Sequence, residues 1–448
     1  MESKYWNPRT ETMPRQELEK LQLAKLQRLV NMAYRNSQFW KKKLDESGVA
    51  PDSIKNLEDI KRIPYLTRDE LNQSQLSRPL FGDIMSINTS DAVRYHQTSG
   101  SSGKVPLRIL DTWRDWEWVS EAWCYGMYGF GVRETDVVYL AYGYGTFIGF
   151  WGAHYAAEKI GALTIPSGGL TSEERVQRII NLGVTVLVCT PTYAIRLAQV
   201  AAEMGIDLAR ESRVRLTIHA GEPGPSIPAT KKMLETAWGA KAGDFPGMSE
   251  TGGSTAYECS DQCGGLHIPE DHYIQEVIDP DTGEPLGYGQ RGELVLTSLG
   301  RMALPLIRYR TGDLVERVES SFCSCGRTFD LYQGGILGRA DDMKIVRGVN
   351  IFPSALENII REFSEIEEFQ IIIYKEKDID QVMVKVEPKP DLDPNAYPGL
   401  KANLAEQLNR AHRLSFNVRI VDQGTLPRFE LKARRLKDLR DQPNATLD

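Results

Sequence analysis

Over the first eighty or so residues, apolar positions recur at helical spacing. Leu21, Leu26, Leu29, Val30, Met32 and Ala33 fall among Lys, Arg and Gln. This predicts amphipathic helices laid on a core or on a partner surface. From Asp136 the pattern changes. The runs DVVYLA (136–141), ALTIP (162–166), VTVLVC (184–189) and VRLTIH (214–219) are short, apolar and rich in Val, Ile and Thr. Helical stretches fall between them, near Phe150 to Lys159, Glu173 to Asn181 and Tyr193 to Met204. Strand and helix alternate, which predicts a mainly parallel sheet covered by helices. Ligands in such sheets sit beyond the carboxyl ends of the strands. Beyond about Tyr273 the run HYIQEVIDPDTGEPLGYGQRGELVLT reads as two strands joined by a turn-rich connection. The last hundred residues predict a small α+β module. The junction before it, Gly338 to Asp342, is polar and glycine-bearing, so it is placed to bend.

Composition narrows the class. The chain has 448 residues, 41% hydrophobic and 26% charged, which gives it enough apolar material for a large core. Length suggests about two to three domains. The net charge of −7 gives no general support for a nucleic-acid partner. The start carries no basic region followed by an apolar stretch, and no apolar run is long enough to span a bilayer. A soluble cytoplasmic protein is expected. Six cysteines in that compartment argue for free thiols or metal over disulfides.

Residues 98–104 read Thr98-Ser99-Gly100-Ser101-Ser102-Gly103-Lys104. Glycines admit a ligand close to the backbone, whose N–H groups then line an anion pocket. Hydroxyls and one lysine add polar contacts to phosphate. A Walker A loop is excluded, because only two residues separate Gly100 from Gly103 and Val105 follows Lys104. Gly143-Tyr144-Gly145 follows a predicted strand, but Gly149 falls one residue too late for a dinucleotide fingerprint.

Further strings extend an ordered set: HAGEPG (219–224), GMSE (247–250), YRTGD (309–313), GRADDMKIVRGVNIFP (338–353) and PRFELKARR (427–435). With TSGSSGK, the chain resembles the adenylate-forming superfamily, and within it the phenylacetate–CoA ligase family, over almost its whole length. The resemblance implies a large N-terminal adenylate-forming domain over 1–338, with a helical region at 1–85, mainly parallel sheets and a β-rich subdomain. A small mobile α+β domain would follow over 339–448, after a hinge near Asp341. It implies two half-reactions. An aromatic carboxylate attacks the α-phosphate of ATP, giving an aryl-adenylate and pyrophosphate; the thiol of coenzyme A then displaces AMP.

The resemblance also assigns residues. Loop 98–104 would cradle the phosphates, with Lys104 among them. Glu250, beside Ser249, would help hold Mg²⁺, a hard cation that prefers oxygen. Gly221, Glu222 and Pro223 would line the adenine. Asp313 would accept from the ribose hydroxyls, with Arg339 nearby. Lys432 would bridge the acid and the α-phosphate, where charge grows in the transition state. Gly348 would leave the thiol's path open. The acid would lie near Tyr142, Tyr144, Phe147, His219, Ala220 and Pro246, since aromatic walls suit an aromatic acid. A homodimer through the N-terminal helices is the family expectation.

One departure bears on specificity. The family has a tyrosine where this chain has Pro246, so a ring and its hydroxyl are lost and the turn is stiffened. A bulkier or differently substituted aryl acid than phenylacetate is expected. A second metal site is read from Cys259, His267, Cys323 and Cys325, four ligands suited to a closed tetrahedral structural Zn²⁺, with Cys263 a spare. Two alternatives stay open: loading of the acid onto a separate carrier protein, and a catalytically silent binding protein of the same fold. Lys104, Glu250, Asp313 and Lys432 argue against the second.

Overall fold

The computed structural model describes residues 3–98, 106–340, 343–347, 349–377, 379–429, 433 and 435–440. The N-terminal periodicity folds as helices α1 (Arg15–Asn36), α2 (Gln38–Glu46) and α3 (Arg68–Ser77). Leu26, Leu29, Val30 and Ala33 of α1 are fully buried, in one cluster with Trp40 of α2. A two-stranded hairpin follows, β1 (Arg94–Gln97) against β2 (Arg108–Asp111). Helix α4 (Trp113–Phe130) starts at a capping box of Thr112 and Asp115 and ends at Gly131, whose φ of 117° favours glycine.

The alternating region builds a five-stranded parallel sheet. Its strands are β3 (Val137–Leu140), β4 (Leu163–Pro166), β5 (Val186–Cys189), β6 (Leu216–His219) and β7 (Lys241–Asp244), in the order β4-β3-β5-β6-β7. The crossovers carry α5 (Ile148–Ile160), α6 (Ser172–Asn181), α7 (Pro191–Glu203) and α8 (Pro228–Trp238). The period of two sorts the sheet into layers. Val138, Leu140, Val186, Val188, Leu216 and Ile218 pack with Trp123 of α4 and Ala153 of α5. Tyr139, Ala141, Leu187 and Cys189 pack on the other side with Val176, Leu197 and Leu234 of α6 to α8. Full burial of each such side chain is worth about 1.5–3 kcal/mol, so the two-sided core is the main stabilising element.

Short strands β8 (Gly247–Met248) and β9 (Gly253–Ser254) turn off the end of β7. An antiparallel sheet follows, from β10 (Gly265–His267), β11 (Tyr273–Ile278), β12 (Arg291–Ser298), β13 (Tyr309–Val318) and β14 (Leu331–Gln333), with β15 (Gly338–Arg339) on β13. Strands β11 and β12 are the pair expected from the run after Tyr273. The C-terminal module has its own core, in which Leu356, Ile360, Phe369, Val384 and Leu404 meet. No helix among the described residues is long and apolar enough to cross a membrane.

The N-terminal segment is tied down by charge. Arg327 Nε donates to Glu11 Oε2 at 2.5 Å with both side chains fully buried, and Arg327 Nη2 donates to the Lys4 carbonyl at 2.7 Å. Removing one partner of a buried pair strands the other charge. Glu11→Ala is therefore expected to lower unfolding stability by about 3–5 kcal/mol, read by urea denaturation. A loss below about 1 kcal/mol would mean that water reaches the guanidinium.

Candidate active site

The hairpin β1–β2 carries the start of the glycine-rich loop. Thr98 N donates to the Leu107 carbonyl at 3.0 Å, and Leu107 N donates to Thr98 Oγ1 at 2.9 Å. The loop ends are thereby pinned together. Arg68, on the first turn of α3, donates from Nη2 to Thr98 Oγ1 at 3.0 Å and from Nη1 to the Glu250 carboxylate. Tyr309 donates its hydroxyl to Glu250 Oε1 at 3.4 Å. Thr98, Arg68, Glu250 and Tyr309 thus meet at one point, drawn from four separate segments.

Glu250 is held from behind. Arg301, fully buried, forms a bidentate pair with Asp111 at 2.6 and 2.7 Å. Its Nη1 donates to the carbonyls of Ser249 and Glu250 at 2.8 and 2.9 Å. The turn before it admits only glycine at 247, where a Cβ would lie 1.9 Å from the Gly253 carbonyl oxygen. Further along β13, Asp313 pairs with Arg339 across to β15, Nη1 to Oδ1 at 3.2 Å.

The segment 221–223 lies at the carboxyl end of β6, and Gly221 takes a φ of 97°. The Glu222 carboxylate accepts from Thr192 N at 2.9 Å and from Ala433 N of the C-terminal module at 2.8 Å. Burial raises its pKa. This side chain therefore ties two parts of the chain together.

Tyr142, Tyr144 and Phe147 follow β3. The Tyr142 ring stacks on Phe150 at 3.6 Å and its hydroxyl donates to the Phe150 carbonyl at 2.6 Å. Tyr144 lies 5.2 Å from Tyr142, ring to ring, and its hydroxyl sits 2.9 Å from His154 Nδ1. Phe147 and Pro246 are half-buried, and Ala220 is buried. His219 is fully buried. Its Nδ1 donates to the Cys189 carbonyl at 3.2 Å and its Nε2 accepts from Thr217 Oγ1 at 2.9 Å. That pattern satisfies a neutral ring on both sides. Ser99, Gly100, Ser101, Ser102, Gly103, Lys104, Asp341, Gly348 and Lys432 lie outside the described residues.

Away from this cleft, Cys259, His267, Cys323 and Cys325 gather with their donor atoms within 4.8 Å of one another, all buried. Cys259 Sγ is 3.7 Å from Cys323 Sγ, and His267 Nε2 is 3.2 Å from Cys325 Sγ. His267 Nδ1 donates to the Phe329 carbonyl at 3.3 Å, which orients the ring. Hydrogen bonds from Cys259 and Cys323, then the His267 ring, hold the Cys325 thiol well below its usual range. Cys263 stays outside the group, with its thiol pushed up to about 11 by a hydrogen bond to Cys259.

Comparison with known proteins places this architecture. Residues 41–303 match a family described as AMP-binding enzyme, and residues 348–440 match the AMP-binding enzyme C-terminal domain. The phenylacetate-coenzyme A ligase of Thermus thermophilus is 34% identical over 97% of this chain and 99% of its own length. The enzyme of the same name from Escherichia coli K12 is 34% identical over 96% and 97%. The chain belongs to the phenylacetate–coenzyme A ligase family of AMP-binding enzymes. Among solved structures, 2-hydroxyisobutyryl-CoA ligase with its acyl-AMP, in the postadenylation state, is 31% identical to this family member, covers 98% of this chain and 93% of its own, and superposes with a TM-score of 0.92. The same ligase in its thioesterification state covers 98% and 93% at 32% identity, and superposes at 0.73. The lobes of this chain are thus arranged as in the former.

Four residues of this family member's site carried no sequence signal of their own. Arg301 and Asp111 are far apart in sequence and meet only through the fold. Tyr309 opened a string read for its aspartate. Arg68 follows Thr67 in a capping box with Glu70, which marks a helix start and says nothing of what the arginine reaches.

The buried imidazole gives a pH test. Burial pulls His219 down to about 4, whereas a free histidine titrates near 6.5. Its neutral form therefore favours the fold above about pH 6.5, and that contribution is lost as pH falls toward 4. Between pH 7 and 5 the wild type should lose about 2 kcal/mol more stability than His219→Gln. Parallel denaturation curves for the two proteins would show instead that the ring protonates freely.

Proposed function

We propose that this chain is an AMP-forming acid–coenzyme A ligase acting on an aromatic acid. The observation that carries the reading is the meeting of Thr98, Arg68 and Glu250 at the mouth of the glycine-rich loop, with Asp313 further along the strand that carries Tyr309 and Arg339 paired to it from the neighbouring strand. An oxide is a poor leaving group, so a carboxylate must be activated before a thiol attacks it. Attack on the α-phosphate of ATP gives an acyl-adenylate, and AMP then leaves readily. Phosphoryl transfer of this kind depends mainly on positioning and charge neutralisation. Loop 98–104 and Arg68 supply donors to phosphate. Asp313 accepts from the ribose hydroxyls, and Lys432 neutralises the charge that grows between acid and phosphate. Turning the module at Asp341 would withdraw Lys432 and bring Gly348 to the thiol.

The acid is assigned to the wall of Tyr142, Tyr144, Phe147, Ala220 and Pro246. The relatives named for phenylacetate support an aryl acid, and so does the run of rings behind that wall. The Glu250 carboxylate, an oxygen donor beside the loop, fits Mg²⁺, which would neutralise phosphate charge when bound. The three thiols and one imidazole fit Zn²⁺. Ligands at about 2.0–2.3 Å around a tetrahedral ion stand about 3.3–3.8 Å apart, close to the separations of 3.7 and 3.2 Å found here. Such an ion would be structural, with no open position.

Pyrophosphate release that requires the acid, followed by AMP and acyl-CoA formation that requires coenzyme A, tests the function. Glu250→Gln should lower acid-dependent pyrophosphate release on the order of a hundredfold with the fold intact by circular dichroism. Unchanged turnover would remove Glu250 from the reaction. Zinc is tested separately: purified protein should carry about one equivalent, and Cys323→Ser should lower both zinc content and melting temperature. Metal-free protein of unchanged stability would leave the four residues as buried thiols.

A further inference from the structure

Strand β1 touches two parts of the site at once. Arg94 and His96 alternate along it, and both lie on the Trp116 ring of α4. Arg94 also donates from Nη2 to the Tyr155 hydroxyl of α5. His96 is 2% exposed, and its ring stacks on Trp116 with centroids 5.3 Å apart and planes 23° from parallel. Its Nδ1 lies 3.3 Å from the Thr146 carbonyl oxygen. The same carbonyl accepts from Gln97 N at 3.1 Å. Thr146 stands between Tyr144 and Phe147 of the acid wall. Thr98, the residue after Gln97, opens the glycine-rich loop and meets Arg68. One carbonyl thus joins the wall to the strand that enters the loop. The wall is also held to α5, where Trp151 Nε1 donates to the Gly145 carbonyl at 2.9 Å and the Tyr142 hydroxyl donates to the Phe150 carbonyl.

A carbonyl only accepts, so Nδ1 carries the proton. Burial pulls the His96 pKa down to about 4. At neutral pH Nε2 is therefore bare, and it has no partner among the described residues. The ring acts as one directed donor and brings no charge to a phosphate. Such a group matters through geometry. In adenylation a carboxylate oxygen bonds to the α-phosphorus of ATP as the bond to pyrophosphate breaks. Acid and ATP start as separate ligands, and a misplacement of about 1 Å can cost about a hundredfold in rate. We propose that His96 is a positioning residue for adenylation: by holding the Thr146 carbonyl, it sets the acid wall in register with the glycine-rich loop. This rests on the ligase reading and on the acid lying along Tyr144 and Phe147. In the second half-reaction acid and phosphate are already one molecule, so that register no longer limits the rate and attack by the thiol is spared.

The test measures the two half-reactions separately on the full-length enzyme, with the aryl acid that the wild type turns over fastest and the chemically prepared adenylate of that acid. His96→Phe keeps a ring on Trp116 and removes the donor. Single-turnover pyrophosphate release should slow by about a hundredfold, while acyl-CoA formation from the adenylate and coenzyme A should stay within about threefold of wild type. His96→Asn, whose amide places a donor near Nδ1, should recover most of the lost adenylation rate. If His96→Phe does not fold, His96→Gln, whose amide reaches one bond further, takes its place with the same split expected. Equal losses in both half-reactions, no loss in either, or no recovery with His96→Asn would overturn the assignment of His96 and leave the ligase intact. A wild type that releases pyrophosphate with no acid in the panel would overturn both.

Discussion

The site depends on one buried ion pair. Asp111 ends the hairpin that carries the glycine-rich loop, and Arg301 reaches from the antiparallel sheet to grip it at 2.6 and 2.7 Å. With its remaining nitrogen Arg301 holds the Ser249 and Glu250 carbonyls. Hairpin and acidic turn are thereby fixed relative to each other through a single guanidinium. A planar, permanently charged fork suits this task, because it satisfies a carboxylate and two carbonyls in one geometry. A lysine would lack the second arm. Such a pair contributes little to net stability against an apolar replacement, yet it fixes position. Positioning is what phosphoryl transfer needs from a protein.

The sheet and its helices were legible because burial on both faces writes itself into the sequence. DVVYLA and VTVLVC are apolar throughout, and both became central strands of the parallel sheet. The cysteine and histidine positions were legible because thiols cluster for few reasons in a chain of this kind. The link between Glu250 and Thr98 was not. Arg68, Asp111 and Arg301 are ordinary charged residues by composition, and a sequence does not say which distant charge a guanidinium meets. Glu222 shows the same limit. Its motif placed it beside the adenine, while its carboxylate turns to Thr192 and Ala433. A motif fixes where the backbone goes better than where a long side chain points.

Glu222 also bears on how the two lobes are held together. Both its oxygens are occupied by backbone N–H donors, one from α7 and one from the C-terminal module. Withdrawing the module would leave one oxygen of a half-buried carboxylate without its donor. That costs about 1–3 kcal/mol until water replaces it. A contact of this size is strong enough to favour the arrangement that resembles the postadenylation ligase at a TM-score of 0.92. It is weak enough to be offset by binding a second substrate, since differential affinity of a few kcal/mol shifts such an equilibrium. A larger apolar interface would hold the lobes in one state, whereas the module rotation proposed above needs two. The narrow seam lined by Arg196, Gln199, Glu367 and Arg428 fits that requirement, because polar groups on both sides can be rehydrated when the lobes part.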